Sequence, residues 1–162
     1  MGLSGKLETE IEVKAPSGKF FHHLTKELHN VQHITDSIHG AEFHEGDEWH
    51  TIGSVKTWTY IVDGKKVTNK ERIEAYDEEK KILTFDIFEG EVSERYKSFK
   101  VTLKVNEKED GSDNGAIAKW IVEYEKVNEG IPDPKGHLEY VTNVTKDVDA
   151  HLSKPYIEGQ PN

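Results

Sequence analysis

The chain has 162 residues, a net charge of -10 and no cysteine. Its length fits one domain, and the missing cysteines exclude disulfides, thiolate metal sites and cysteine nucleophiles. The acidic balance opposes binding to nucleic acid, and no apolar run is long enough to span a membrane.

The opening stretch MGLSGKLETEIEV carries no apolar signal segment, so a soluble, cytoplasmic protein is expected. Within it, Leu7, Thr9, Ile11 and Val13 alternate with Lys6, Glu8, Glu10 and Glu12, the pattern of a strand with one wet face. PSGKFFHHLTKELHNV follows, with Phe20, Phe21, Leu24, Leu28 and Val31 at helical spacing and Ser17 as the candidate cap. The pattern predicts one short helix, or two with a break near Asn30. SIHGAEF reads as a modest strand.

From Ser54 onward the pattern is extended. SVKTWTYIV ends at Asp63-Gly64, a two-residue hairpin signal. KKVTNKERIEA, a turn at Asp77–Lys80, KILTFDIF, a turn around Gly90 and YKSFKVTLKV come next. The polar, turn-rich NEKEDGSDNG reads as an exposed loop, and AIAKWIVEYEKV as the last strand. Pro132 and Pro134 then stop the extended pattern. Leu138, Val141, Val144, Val148 and Leu152 place one apolar stripe on a helix over residues 135–152. Residues 1–154 form the expected domain, and 155–162 a flexible tail. Sequential hairpins make the sheet mostly antiparallel and the fold α+β.

Strand parity assigns the faces. On KVTNKERIEA, Lys66, Thr68, Lys70, Arg72 and Glu74 face water, so Val67, Asn69, Glu71, Ile73 and Ala75 face inward. Leu83, Phe85 and Ile87 share that inner side, with Phe99, Val101, Leu103 and Val105, and with Trp120, Val122 and Tyr124. Lys56, Trp58 and Tyr60 are placed inward on the first hairpin strand. One long, valine-rich helix and a short pair can roof such a sheet but hardly fill the space beneath it. A packed interior has a density of about 0.75, so the shortfall in bulk predicts a cavity with a few polar groups on its wall.

Seven of the nine histidines fall between His22 and His50. His29 and His33 are four apart and could share a helix face, but no cysteine or HExxH motif supports a metal site. They read as solvated histidines that make this region more cationic near pH 6. HEGDEWHTIGS, residues 44–54, keeps only Gly46 and Gly53 among Glu45, Asp47 and Glu48, whose charge opposes a phosphate cradle. It reads instead as a loop at the cavity rim, with Trp49 as a cap on the core or a gate to the pocket, the cap being favoured.

Four segments together, GLSGKLETEIEV, HEGDEWHTIGSVKTWTY, FEGE and VEYEKVNEGIPDPKGHLEYV, resemble the plant major latex proteins, a branch of the birch-pollen-allergen and pathogenesis-related superfamily. The resemblance covers nearly the whole chain. It implies a helix-grip fold, in which a seven-stranded curved antiparallel sheet wraps the C-terminal helix around a large apolar cavity. It also implies binding of steroids, hormones, lipids or flavonoid-like metabolites, and a link to defence and stress. The glycine-poor loop weakens any ribonuclease reading. The tyrosine, lysine and acidic set of the alkaloid-forming relatives has no match here residue by residue.

The expected function is that of a carrier for small hydrophobic ligands, monomeric or weakly dimeric, without cofactor, metal, nucleic acid or stable membrane insertion. Trp58, Tyr60, Phe85, Phe99, Val101, Leu103, Trp120, Val122 and Tyr124 are expected on the sheet side of the ligand. Leu138, Val141 and Val144 are expected on the helix side, with Phe20, Phe21 and Leu24 from the short helices. Lys56, Asn69 and Glu71 are expected to orient a polar ligand group. The alternative is an enzyme that uses Lys56 and Glu71 as an acid–base pair on a bound metabolite.

Overall fold

The computed structural model describes residues 2–108 and 115–153. The chain runs β1 (Ser4–Val13), α1 (Ser17–Thr25), a 3₁₀ helix (Leu28–His33), β2 (Ile38–Glu45), β3 (Val55–Val62), β4 (Lys65–Asp77), β5 (Ile82–Gly90), a 3₁₀ turn (Glu91–Glu94), β6 (Tyr96–Glu107), β7 (Ala116–Lys126) and α2 (Lys135–Leu152). The strands form one seven-stranded sheet in the order β1-β7-β6-β5-β4-β3-β2. Every neighbouring pair is antiparallel. β1 therefore closes against the last strand, while the rest of the sheet is a run of neighbours. The predicted loop falls partly on residues 109–114 and the predicted tail on residues 154–162, which lie outside the described residues.

The β3–β4 turn is the one the sequence predicts. Asp63 and Gly64 both have positive φ, 53° and 75°, which is the type I′ geometry that matches strand twist. α2 packs against β1, β3, β7 and α1. Its last turn is tied down by Asp149, whose carboxylate accepts the backbone N–H groups of Lys14 and Ala15 at 2.9–3.0 Å. Near its middle, Trp120 Nε1 donates to Thr145 Oγ1 at 2.8 Å. Among the described residues, no helix is long and apolar enough to cross a membrane.

Four expectations are corrected. Ser17 does not cap α1. Pro16 holds the cap position at φ -58° and ψ 150°, and its carbonyl accepts the N–H of Phe20 at 3.0 Å, so Ser17 is already helical. The break after α1 comes at Lys26–Glu27 rather than near Asn30, which lies inside the 3₁₀ segment. His29 and His33 sit on that segment, where side chains repeat every three residues, so a spacing of four does not bring them onto one face. Finally, Ala75 does not face inward. A register shift between Ile73 and Ala75 is a bulge that inserts one residue and reverses the parity. Beyond it Tyr76 pairs with Leu83 and stacks on Phe21 at 6.1 Å, while Ala75 pairs with outward-facing Thr84.

Candidate functional site: an internal cavity with a polar end

The inner faces of β3 and β4 are set by their parity. Lys56, Trp58 and Tyr60 on β3, and Asn69 and Glu71 on β4, are all buried. Antiparallel register places Lys56 beside Glu71 and Trp58 beside Asn69. Lys56 is 0% exposed, and its Nζ lies 3.3 Å from Glu71 Oε2 and 3.3 Å from Ser54 Oγ. The same Oε2 accepts the indole N–H of Trp58 at 2.9 Å.

Burial lowers the pKa of Lys56 below its ordinary value, with the Glu71 carboxylate opposing that shift. Burial likewise raises Glu71, opposed by Lys56 and by the Trp58 hydrogen bond. The two shifts run toward each other, as expected where low dielectric weakens the charged forms of a pair. Either way the proton is placed, the pair carries no net charge.

A second set of hydrogen bonds starts at Asn69. Its Oδ1 accepts the N–H of Val92 at 2.8 Å, which turns its Nδ2 toward Tyr60, whose hydroxyl oxygen accepts at 2.8 Å. Gly90 lets the β5 end pass this close, because a Cβ there would collide with the Thr68 carbonyl and with Asn69. The Tyr60 hydroxyl then meets His137 Nε2 at 3.3 Å. Burial holds the His137 imidazole down at about 4, so it is neutral near pH 7 and Nε2 is free to accept from Tyr60. Burial also raises the phenols of Tyr60 and Tyr140.

Between these groups and α2 lies a cavity of about 70 Å³, room for a few water molecules at most. Of the residues the sequence proposes as ligand-binding, the structure brings Leu24, Trp58, Tyr60, Asn69, Glu71, Phe85, Val101, Trp120, Val141 and Val144 to its wall. The others lie elsewhere. Phe20, Phe99, Leu103 and Val122 are sealed in packed core, at 0–1% exposure. Phe21 stacks on Tyr76 at 6.1 Å. Tyr124 donates from its hydroxyl to Asp133 Oδ1 at 2.9 Å and is off the wall. Lys56 stands behind Glu71, off the wall. Leu138 is half-buried, about 120° round the helix from Val144 at 3.6 residues per turn.

Six wall residues were absent from the proposed set: Leu28, Val31, Ile38, Ile87, His137 and Tyr140. Leu28, Val31 and Ile87 were legible as core by their periodicity. His137 and Tyr140 were not. They share a helix face with Val141 and Val144 at spacings of three and four, but they are not part of its aliphatic stripe.

A second, more polar void of about 130 Å³ adjoins the first at Asn69 and His137. It is bounded by Asp63, Lys65, Glu91, Arg95 and the Pro132–Pro134 segment. Gly136 permits this junction, since a Cβ there would collide with the Asp63 carboxylate.

The loop over residues 46–53 caps one end of the site. Trp49 is half-buried, edge-on to Trp58 at 5.7 Å and beside Phe43 at 5.5 Å, and it is not a wall residue. Its carbonyl accepts Ser54 Oγ, which in turn accepts Lys56 Nζ. Trp49 therefore closes the core over the buried ion pair.

The reading of every clustered histidine as solvated is corrected. His23 and His50 are 9% and 5% exposed, and burial lowers both pKa values, so neither adds charge readily near pH 6. No group of three or more histidine, aspartate or glutamate residues among those described could hold a metal ion.

The architecture and sequence match known proteins. Residues 2–155 match the pathogenesis-related protein Bet v 1 family. MLP-like protein 43 of Arabidopsis thaliana is 45% identical over 151 residues, 93% of this chain and 94% of that one. Major latex protein 146 of Papaver somniferum is 37% identical, over 93% of this chain and 92% of that one. A crystal structure of major latex-like protein 151 from Panax ginseng superposes with a TM-score of 0.86 at 36% identity, covering 94% of this chain and 100% of the other. The chain therefore belongs to the pathogenesis-related Bet v 1 family, among its major latex proteins.

Proposed function

We propose that the protein binds and carries small hydrophobic molecules, such as steroid, lipid, hormone or flavonoid-like metabolites, in the space between the sheet and α2. The observation that carries this reading is the cavity itself: an apolar void in the core, with Asn69, Glu71, His137 and two tyrosine hydroxyls at one end. Ligand pockets combine apolar walls with a few directed polar groups in this way. The family membership supports a carrier role, and it also suggests a link to defence and stress. A monomer or weak dimer in the cytoplasm fits this reading.

The cavity as it stands, about 70 Å³, is smaller than the roughly 300–1,000 Å³ of pockets that hold drug-sized ligands. Ligand uptake thus requires widening. Asn69 and His137, both bonded to the Tyr60 hydroxyl, stand between the two voids. Moving the first turn of α2 away from β3 merges the voids and gives an access route from the polar side. Burial of apolar ligand surface at about 25 cal/mol per Å² favours this opening against its cost.

The test is uptake of an environment-sensitive dye, followed by displacement with steroids, fatty acids and flavonoids. Saturable uptake at micromolar protein is expected, and no uptake sinks the reading. Native mass spectrometry of protein from its source tissue would then identify the mass carried.

A second reading, catalysis on a bound metabolite by Lys56 and Glu71, rests on the facing pKa shifts of that pair. Only Glu71 reaches the wall, so a bound molecule meets one titratable group of the two. Turnover abolished by Lys56→Ala supports catalysis. Recovery of every ligand unchanged after long incubation supports carriage.

A further inference from the structure

Two polar atoms at the end of the cavity have no hydrogen-bond partner among the described residues. Both hydrogen bonds to the Glu71 carboxylate fall on Oε2. Oε1 accepts none from the described residues, yet it is not a sealed atom, and Glu71 lines the cavity. The Tyr140 hydroxyl is in the same position: it lines the cavity, makes no hydrogen bond among the described residues and is not sealed. Both residues belong to the wall of the same small cavity. Polar groups facing an apolar void are costly unless something in the void bonds to them.

Their chemistry is complementary. Oε1 needs a donor, and Tyr140 has a hydrogen to give. One hydroxyl group can donate to the first and accept from the second. A carboxylate can do neither part well. It cannot donate to Oε1, and it would bring an uncompensated negative charge into a low-dielectric space beside the neutral Lys56–Glu71 pair. Lys56 is off the wall and already engaged with Glu71 and Ser54.

We infer that the cavity selects neutral ligands that present a hydroxyl group, a phenol or an alcohol, to Glu71 Oε1 and Tyr140, and that it rejects the carboxylate of the same skeleton. This rests on the carrier reading and narrows it to a ligand class. Steroid alcohols and flavonoid phenols fall inside the class, and ionised fatty acids fall outside it. Glu71 and Tyr140 act here by hydrogen bonding and charge, and the apolar walls supply the burial.

The experiment uses three probes of one shape, 2-naphthol, naphthalene and 2-naphthoate, titrated at pH 7.5 against the full chain. 2-Naphthol is expected to bind about tenfold more tightly than naphthalene and at least tenfold more tightly than 2-naphthoate. Glu71→Gln removes the acceptor charge, so the preference for 2-naphthol over 2-naphthoate should shrink at least several-fold. Tyr140→Phe keeps the ring and should weaken 2-naphthol several-fold while leaving naphthalene unchanged. It provides the test if Glu71→Gln does not fold. Equal affinity for naphthol and naphthoate in the native protein overturns the inference and leaves the carrier reading standing. A naphthol preference untouched by Tyr140→Phe and by Glu71→Gln does the same. Failure of all three probes to bind overturns both.

Discussion

The two halves of the inner sheet face share one alternating pattern and differ in what fills it. On β6 and β7 the inward residues Phe99, Leu103, Val105, Ala116, Ala118 and Val122 are all at 5% exposure or less in packed core, and only Val101 and Trp120 of those the sequence proposes reach the cavity wall. On β3 and β4 the inward residues include Lys56, Asn69 and Glu71, and the void lies over them. The small Ala116 and Ala118 lie on the β7 side, while the bulky, polar-tipped side chains on the β3 side hold each other in place and leave space. The first half is mostly packed, and the void lies mainly over the second.

The sharpest way to break this contrast is to unpair the buried charge. Lys56→Met leaves Glu71 without its ammonium partner and should cost about 3–5 kcal/mol. The double variant Lys56→Met/Glu71→Leu should be as stable as the native protein or more so, since an apolar pair needs no compensation. Urea midpoints decide both, and a single variant as stable as the native protein would show that the pair is not sealed.

In the packed half, Leu103→Ala should cost about 3 kcal/mol through lost burial and a new cavity. Dye affinity, measured under conditions where the variant remains folded, should not change, because Leu103 is off the cavity wall. A large drop in affinity would show that the halves are coupled.

A pH scan sharpens the contrast from the other side. His137 stays neutral in the folded protein down to about pH 4, whereas an unfolded histidine takes its proton near pH 6.5. Between those values the unfolded chain binds more protons, so stability falls as pH falls from about 6.5 to 4. Because His137 is only partly shielded from solvent, its share is at most about 3 kcal/mol. His23 and His50 act with the same sign. The diagnostic is therefore the difference: His137→Gln should show a shallower acid dependence than the native protein, with His23 and His50 contributing equally to both. Identical slopes would place His137 in contact with water.

Much of the fold was legible, because hairpin signals and parity are local. The bounds of α2, the Asp63-Gly64 turn and the facing of Lys56 with Glu71 all follow from residues near one another in the chain. What was not legible depends on partners. The bulge that turns Ala75 out and Tyr76 in is a matter of pairing with β5. His137 reads as an ordinary helical histidine until Tyr60 is brought to it from β3. Lean composition pointed to a hollow interior, but the volume depends on how closely α2 settles on the sheet, which no pattern of residues states.

The smallest expected change in stability accompanies the largest expected change in binding. Val144 on α2 faces the void, so in Val144→Phe the added ring enters free space and should cost about 1 kcal/mol or less. The most direct test of a binding cavity on the β3–β4 side is one titration of an environment-sensitive dye into the native protein and into Val144→Phe at matched folded fractions. Saturable micromolar binding to the native protein, weakened at least tenfold by the substitution, is the expected result. Equal binding to both would place the ligand outside this cavity and contradict the assignment.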